Sequence, residues 1–254
     1  MEETSTSAYL QPQSGLGDLV NLLPYLEKLT GQAVWKTATN HGYALEPFGD
    51  VAQSVRVVVD GVRPNYIEGF TYLKYNKYAK AGYKSIYFKG NDYEYYAQKV
   101  RDRYITFYNK MPTVEGNYVV FAPPRAAQRH QEKNNPFECA PKIEYAFYEL
   151  YRVAKSMPVV VVGKNDKYSG SPPYQHLIID LRDKFIDLRD KLSFAELCGI
   201  IMHAEVVVSQ ISAITSIAGL FGIPTKFLPA ATETPEQHAA HVNGVVWPGQ
   251  EILQ

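Results

Sequence analysis

The sequence predicts an α/β protein built as two Rossmann-like domains, each with a mostly parallel sheet. Short extended runs alternate with helix-length segments through most of the 254 residues. Two of the runs, "PVVVV" (158–162) and "EVVVS" (205–209), are largely apolar, as strands buried on both faces are. The alternation breaks once, at "NKMPTVEGN" (109–117), where Pro112, Gly116 and sparse apolar content mark a linker. Domains are therefore expected at 1–110 and 117–254.

In the first domain the extended candidates are 8–13 ("AYLQPQ"), 33–38 ("AVWKTA"), 54–60 ("SVRVVVD") and 84–89 ("KSIYFK"). Helices are expected between them at 17–30, roughly 43–49, 66–80 and 92–108. The second domain starts with a strand at 117–122 ("NYVVFA"), a helix at 141–156 and strands at 158–162 and 176–179. It continues with an extended piece at 185–188, a helix at 193–203, a strand at 205–209, a helix at 212–221 and a strand at 225–228. The cleft between the domains is the default ligand site, because ligands bind where strand carboxyl ends face a crevice.

Composition narrows the functional classes. Apolar residues make up 46% of the chain and charged residues 20%, enough for a real core. The formal net charge is zero, so bulk charge gives a nonspecific nucleic-acid binder no support. No run of 18 apolar residues predicts a transmembrane helix. The opening "MEETSTSAYL" is acidic and polar, unlike a secretory signal. Cys139 and Cys198 read as buried thiols, and a cytoplasmic location is expected. Twenty tyrosines, many within 66–108, fit either a stacking surface for sugars or bases or half-buried positions on amphipathic helices. The six histidines lack metal-ligand spacing and no Cys/His cluster exists, so no zinc site is predicted.

"SGLGDLVNLLP" (14–24) opens the first helix with two glycines and a carboxylate. It is not the dinucleotide fingerprint. After Gly15 and Gly17 the third glycine position is Val20, and Thr37–Asn40 fill the zone where a ribose-binding acid belongs. The phosphate-loop pattern fails too, for want of G-K-[ST]. What remains is a close backbone turn with Asp18 at its mouth. Spacing alone allows Asp18 to be a general base or a favourable charge in a first helical turn.

Two segments together resemble the ADP-heptose:lipopolysaccharide heptosyltransferases, inverting enzymes of the GT-B fold. The family opens with G-[IL]-G-D and a helix with a proline seven residues on; here the run is "GLGDLVNLLPYLEKL". Its donor domain carries D-L-x-G-x-x-S-L-x-E-L, then D-S-G-x-x-H-x-A-x-A-x-G-x-P. The counterpart is "DLRDKLSFAELCGIIMHAEVVVSQISAITSIAGLFGIPT" (187–225). Ser193, Glu196, Leu197, Ala204, Ser212, Ala218, Gly222 and Pro224 set the register. Within D-S-G-x-x-H, Ile211 stands at Asp, Ala213 at Gly and Ser216 at His, and only Ser212 matches.

The resemblance implies a GT-B architecture, two Rossmann-like domains with parallel sheets facing across a cleft. It also implies metal-independent, inverting sugar transfer from an ADP-heptose-like or other nucleotide-diphosphate sugar to an acceptor hydroxyl, with no cofactor beyond the donor. Asp18 then takes the place of the family's base, at the turn made by Gly15 and Gly17. "PPRAAQRH" (123–130) supplies Arg125 and Arg129, which suit phosphate through planar donor forks or simply occupy a surface loop. Lys164 in "VVVVGKND" reaches phosphate or sits in a strand-end turn. Ser212, Thr215 and Ser216 stand at a helix start, where a diphosphate finds free N–H groups. In "TATNHGY" (37–43), Asn40 and His41 face the crevice from the acceptor side, or His41 is incidental. The acceptor expected is a saccharide or another hydroxyl-bearing molecule; the Tyr/Lys/Arg-rich 72–110 stretch adds a hydroxyl-bearing nucleic-acid base. The departures at 211 and 216 support an alternative, a catalytically inactive GT-B-like module that binds a nucleotide or sugar.

Overall fold

A computed structural model describes residues 8–11, 16–29, 35–37, 41–54, 71–74, 92–109, 114–123, 150, 152, 157–164, 185–229 and 234–253. The chain divides into two compact units, Met1–Phe107 and Tyr108–Gln254.

In the first unit, strands β1 (Ala8–Gln11), β2 (Trp35–Thr37), β3 (Ala52–Ser54) and β4 (Thr71–Lys74) form a parallel sheet in the order β3-β2-β1-β4. Helix α1 (Leu16–Leu29) follows β1 directly. Its residues Leu19, Val20, Leu23 and Leu26 recur at helical spacing and are fully buried. Burial of each such side chain stabilises the unit by about 1.5–3 kcal/mol. Pro24 lies inside α1 and removes one of its backbone donors. A 3₁₀ segment, Gly42–Val51, kinks at Gly49, whose φ of 57° suits glycine. Helix α2 (Asp92–Tyr108) is tied to both. Its Arg103 guanidinium donates to both carboxylate oxygens of Glu27 on α1, at 2.9–3.0 Å, and lies over the Phe48 ring. The Tyr104 hydroxyl donates to the Ala44 carbonyl.

One expectation is overturned here. The helix predicted over 66–80 contains a strand instead, because Thr71–Lys74 pairs residue for residue with Ala8–Gln11. A tyrosine-rich run satisfies a helical or a strand period locally, and the distant partner decides. In α2 the tyrosines divide by position: Tyr104 and Tyr108 are buried, whereas Tyr95 and the half-buried Tyr96 take the Lys99 ammonium against their rings. The strand expected at 84–89 lies outside the described residues, as does 55–60 of the one expected at 54–60.

The second unit holds a five-stranded parallel sheet of β5 (Val119–Ala122), β6 (Val159–Val161), β7 (Phe185–Asp187), β8 (Val206–Ser209) and β9 (Thr225–Phe227). Their spatial order is β7-β6-β5-β8-β9. Every residue of β5, β6 and β8 is buried, which is why these strands read as unbroken apolar runs. Val119, Phe121, Val159, Val161, Val206 and Val208 form one core cluster with Leu150 and Leu228. Helix α3 (Phe194–Met202) precedes β8, and α4 (Ala213–Phe221), buried from Ile214 to Phe221, joins β8 to β9.

Helix α5 (Pro235–Val245) was not expected, although Thr234, Pro235 and Gln237 spell a capped start. After it the chain returns to the sheet. Ile252 pairs parallel to Thr225, and Gln250 donates from Nε2 to the Thr225 hydroxyl at 2.9 Å. The helix expected at 141–156, apart from 150 and 152, and the strand at 176–179 lie outside the described residues. No described helix is long and apolar enough to cross a membrane.

Candidate functional site

The strand order of the second sheet reverses direction between β5 and β8, so their carboxyl ends flank a switch point of the kind where α/β sheets bind ligands. From that edge Ser209 leads through Gln210 and Ile211 to α4. The first backbone bond closing α4 runs from the Ser216 N–H to the Ser212 carbonyl, at 3.1 Å. The N–H groups of Ala213, Ile214 and Thr215 therefore have no backbone acceptor within the helix and carry its positive end.

Side chains organise this helix start. The Thr215 hydroxyl accepts from the Ser212 N–H at 2.9 Å and donates to the Ser212 carbonyl at 2.8 Å. The Ser216 hydroxyl donates to the same carbonyl at 3.2 Å. Both side chains are buried, 1% and 2% exposed, so their hydroxyl protons are spent on the turn itself. Ser212 Oγ lies 3.4 Å from Ser209 Oγ. Ile211 packs on Phe227 and Val242, among apolar neighbours. Lys164 is exposed just beyond β6, where Gly163 turns the chain at φ 106° and its carbonyl accepts from Asp190 at 3.0 Å. Arg125 and Arg129 lie outside the described residues.

The motif residues that this chain keeps have structural work in common. Ser193 caps α3: Glu196 N–H donates to its Oγ at 3.2 Å, and the Glu196 carboxylate accepts from the Ser193 N–H at 2.8 Å. The Ser193 hydroxyl donates to the same carboxylate at 2.7 Å, and this bond, with the one from the Ser193 N–H, holds the Glu196 carboxyl below its usual range. Asp190 has φ 57°, at the position where the family pattern D-L-x-G has glycine. Gly222 ends α4 at φ 73°, two residues before Pro224. Asp187 accepts two bonds from the Arg189 guanidinium, at 2.9 and 2.6 Å, which lowers its carboxyl pKa. The cap of α3 and the end of α4 keep the pattern's residues and Asp190 keeps a φ that suits the pattern's glycine, whereas the side chains at the mouth of α4 depart from it. Cys198 is free and buried, and burial pushes its thiol pKa up, away from nucleophilic chemistry.

In the first unit, Gly17 and Asp18 fall in the first turn of α1, the first helix after β1 in the chain. Gly15, Asn40 and the side chain of Asp18 lie outside the described residues. His41 is half-buried at the entrance to the 3₁₀ segment, four residues beyond β2. Its Nδ1 lies 2.7 Å from the hydroxyl of Tyr43. Tyr43 is the partner that sequence reasoning missed, although it closes the same "TATNHGY" run; a tyrosine two residues from a histidine in a tight turn was the available signal. Among the described residues, no group of three or more His, Cys, Asp or Glu side chains is placed to hold a metal ion.

Solved glycosyltransferases match this architecture along nearly the whole chain. E. coli heptosyltransferase WaaC with ADP-2-deoxy-2-fluoro heptose superposes with a TM-score of 0.58 at 11% identity, over 98% of this chain and 93% of its own. The fold is that of the heptosyltransferases. A glycosyl transferase family 9 protein from Veillonella parvula matches at 0.55 and 14% identity, over 100% of this chain and 88% of its own. The dodecameric, iron-containing heptosyltransferase TibC of enterotoxigenic E. coli, in complex with ADP-D-beta-D-heptose, matches at 0.51 and 15% identity, over 98% of this chain and 62% of its own. No protein-family model matches the chain, and no curated protein matches it in sequence. At these identities the likeness is one of fold.

Proposed function

We propose that this chain is an inverting glycosyltransferase that moves a sugar from a nucleotide-diphosphate sugar to an acceptor hydroxyl. The observation that carries the reading is the start of α4 at the β5/β8 switch point, in a fold shared with a heptosyltransferase solved with an ADP-sugar analogue. The 117–254 region binds the donor, and 1–110 binds the acceptor. Asp18 removes the acceptor hydroxyl's proton while that oxygen attacks the anomeric carbon opposite the diphosphate. The bond from the anomeric carbon to the diphosphate oxygen breaks, and its electron pair leaves with the nucleotide. Arg125, Arg129, Lys164, Ser212 and the α4 N–H groups meet that charge. Thr215 and Ser216 contribute by fixing the turn. Gly15 and Gly17 let the acceptor close on the backbone, and Asn40 and His41 line its side.

A second reading is favoured by Ile211, Ala213 and Ser216, which remove the side chains that the family pattern places at the donor. It makes the chain a binding module without turnover. A thermal-shift panel of ADP-, UDP-, GDP- and CDP-sugars, run beside donor hydrolysis and transfer to methyl glycosides, separates the two. Stabilisation with transfer supports the enzyme; stabilisation with neither hydrolysis nor transfer supports the module. Transfer is expected to survive EDTA. Loss in EDTA, restored by Mn²⁺ or Fe²⁺, would assign charge stabilisation to a metal, a comparison made pointed by the iron in TibC.

A further inference from the structure

Helix α4 is held near both ends by one stretch of chain, α5 and the residues that follow it. Ile211, the residue before the Ser212 cap, packs against Phe227 of β9 and Val242 of α5, and Val246 and Ile252 join the same cluster. An apolar residue at that position ordinarily meets the fourth residue of its own helix, which fixes the angle at which the chain enters. Here the fourth residue is Ser216, whose hydroxyl donates to the Ser212 carbonyl. The apolar partner comes instead from α5, as the buried Val242.

Towards the other end of α4, Gly219 faces Trp247 and Gln250, and a Cβ there would collide with both. Hydrogen bonds fix this contact. The buried Gln250 accepts at Oε1 from the Trp247 N–H at 3.2 Å and donates from Nε2 to the Thr225 hydroxyl at 2.9 Å. That hydroxyl donates in turn to the Ile223 carbonyl at 3.0 Å. The main chain adds two bonds at Thr225: its N–H donates to the Glu251 carbonyl at 2.9 Å, and its carbonyl accepts from the Leu253 N–H at 3.0 Å. The segment after α5 is thus tied to β9, the strand that follows α4, while Val242 within α5 touches the residue that precedes α4.

The N–H groups of Ala213, Ile214 and Thr215 bind an anion well only when they converge on it, and their direction follows the entry of the chain through Ile211 and Ser212. We infer that Val242 is a positioning residue for the donor: through Ile211 it aims the start of α4, so that affinity for a nucleoside diphosphate depends on α5. The affinity rests on the reading of the α4 start as the donor site; the coupling of Val242 to that helix start does not.

The test uses the full chain, with ADP, UDP, GDP and CDP as calorimetric probes and amide hydrogen exchange at Ser212 and Ser216 followed by NMR. Both amides are bonded within the turn, to the Thr215 hydroxyl and the Ser212 carbonyl. Val242→Ala should speed their exchange and weaken the best-bound diphosphate about 2- to 30-fold, the range for residues that act on a site without touching its ligand. In an Ile211→Ala background the same change should have little further effect on affinity, because its path is gone. Val159→Ala, an equal truncation in the core at the amino end of β6, should leave affinity unchanged and alter exchange no more at these two amides than across the sheet. Val242→Thr, which keeps the shape and adds a hydroxyl, supplies the comparison if the alanine variant does not fold. Unchanged affinity in the Val242 variant overturns the inference, as does an equal loss in Val159→Ala or a loss undiminished in Ile211→Ala. A parent protein that binds none of the four diphosphates counts instead against the donor reading. Exchange then decides the coupling by itself, and unaltered rates at Ser212 and Ser216 overturn it.

Discussion

Gly219, within α4, has the returning C-terminal segment against it. A Cβ added there would lie 2.4 Å from Trp247 Cδ1, 2.9 Å from Trp247 Cγ and 2.8 Å from Gln250 Oε1. Carbon pairs settle at about 3.5–4.0 Å, so the indole must retreat by about 1 Å. It has little room, being 1% exposed. Gln250 is held as well: its Oε1 accepts from the Trp247 N–H at 3.2 Å, and its Nε2 donates to Thr225. Gly219→Ala gains about 1 kcal/mol of helix propensity. Against this stand about 1–3 kcal/mol of overpacking and about 1 kcal/mol for a strained Gln250 hydrogen bond. The expected net loss is about 2 kcal/mol, a fall in Tm of roughly 4–8 °C if the chain melts cooperatively. Urea titration and thermal melts measure it. Adding Trp247→Leu to Gly219→Ala should cost less than the two single losses combined, because the shorter side chain vacates the space. A Gly219→Ala protein as stable as the parent, or more stable, would refute the steric argument.

Three further outcomes follow from particular residues. Asp18→Asn keeps size and hydrogen-bonding capacity but not basicity, so kcat should fall by about 10²–10⁴ with donor affinity nearly unchanged and at most about 1 kcal/mol of stability lost with the first-turn charge; near-parental transfer would withdraw the base role. Asp190→Ala should destabilise by about 1 kcal/mol in urea, because alanine tolerates φ 57° poorly, whereas Asp190→Gly should match or exceed the parent; equal losses in both would remove backbone strain as the cause. Burial raises the Tyr118 phenol to about 12, against about 10 in the unfolded chain, so the unfolded state ionises first and stability falls as pH climbs through that interval. Tyr118→Phe should flatten that alkaline loss while costing about 1 kcal/mol at neutral pH, the hydrogen bond to the Ile200 carbonyl at 2.8 Å; an unchanged alkaline limb would exclude Tyr118 as its source.

Local chemistry made several elements readable in advance. The valine-rich strands β6 and β8 announce burial on both faces, and Ser193 with Glu196 marks the start of α3 through a bond spanning three residues. Gly222 before Pro224 marks the end of α4 in the same way. The Thr234–Gln237 cap of α5 was equally local and went unread. The run 66–80 failed for a different reason. Its tyrosines and lysines satisfy either period, and β4 exists because β1, about sixty residues earlier in sequence, offers an open edge.

The candidate site divides along the same line. Glycines before a carboxylate at a helix start, and a serine at the mouth of another helix, are chain-neighbour patterns, so Gly17, Asp18 and Ser212 could be named from order alone. The direction of a hydroxyl could not. Thr215 and Ser216 look like ligand donors in one dimension, yet both donate to the Ser212 carbonyl, because a buried hydroxyl beside a helix start satisfies the nearest backbone acceptor. Tyr43 gained its place only when the turn brought its oxygen to His41 Nδ1. Spacing along the chain thus determined which residues stand at strand ends and helix starts. Folding decided which of their polar atoms still face outward, since that depends on partners supplied by the rest of the fold.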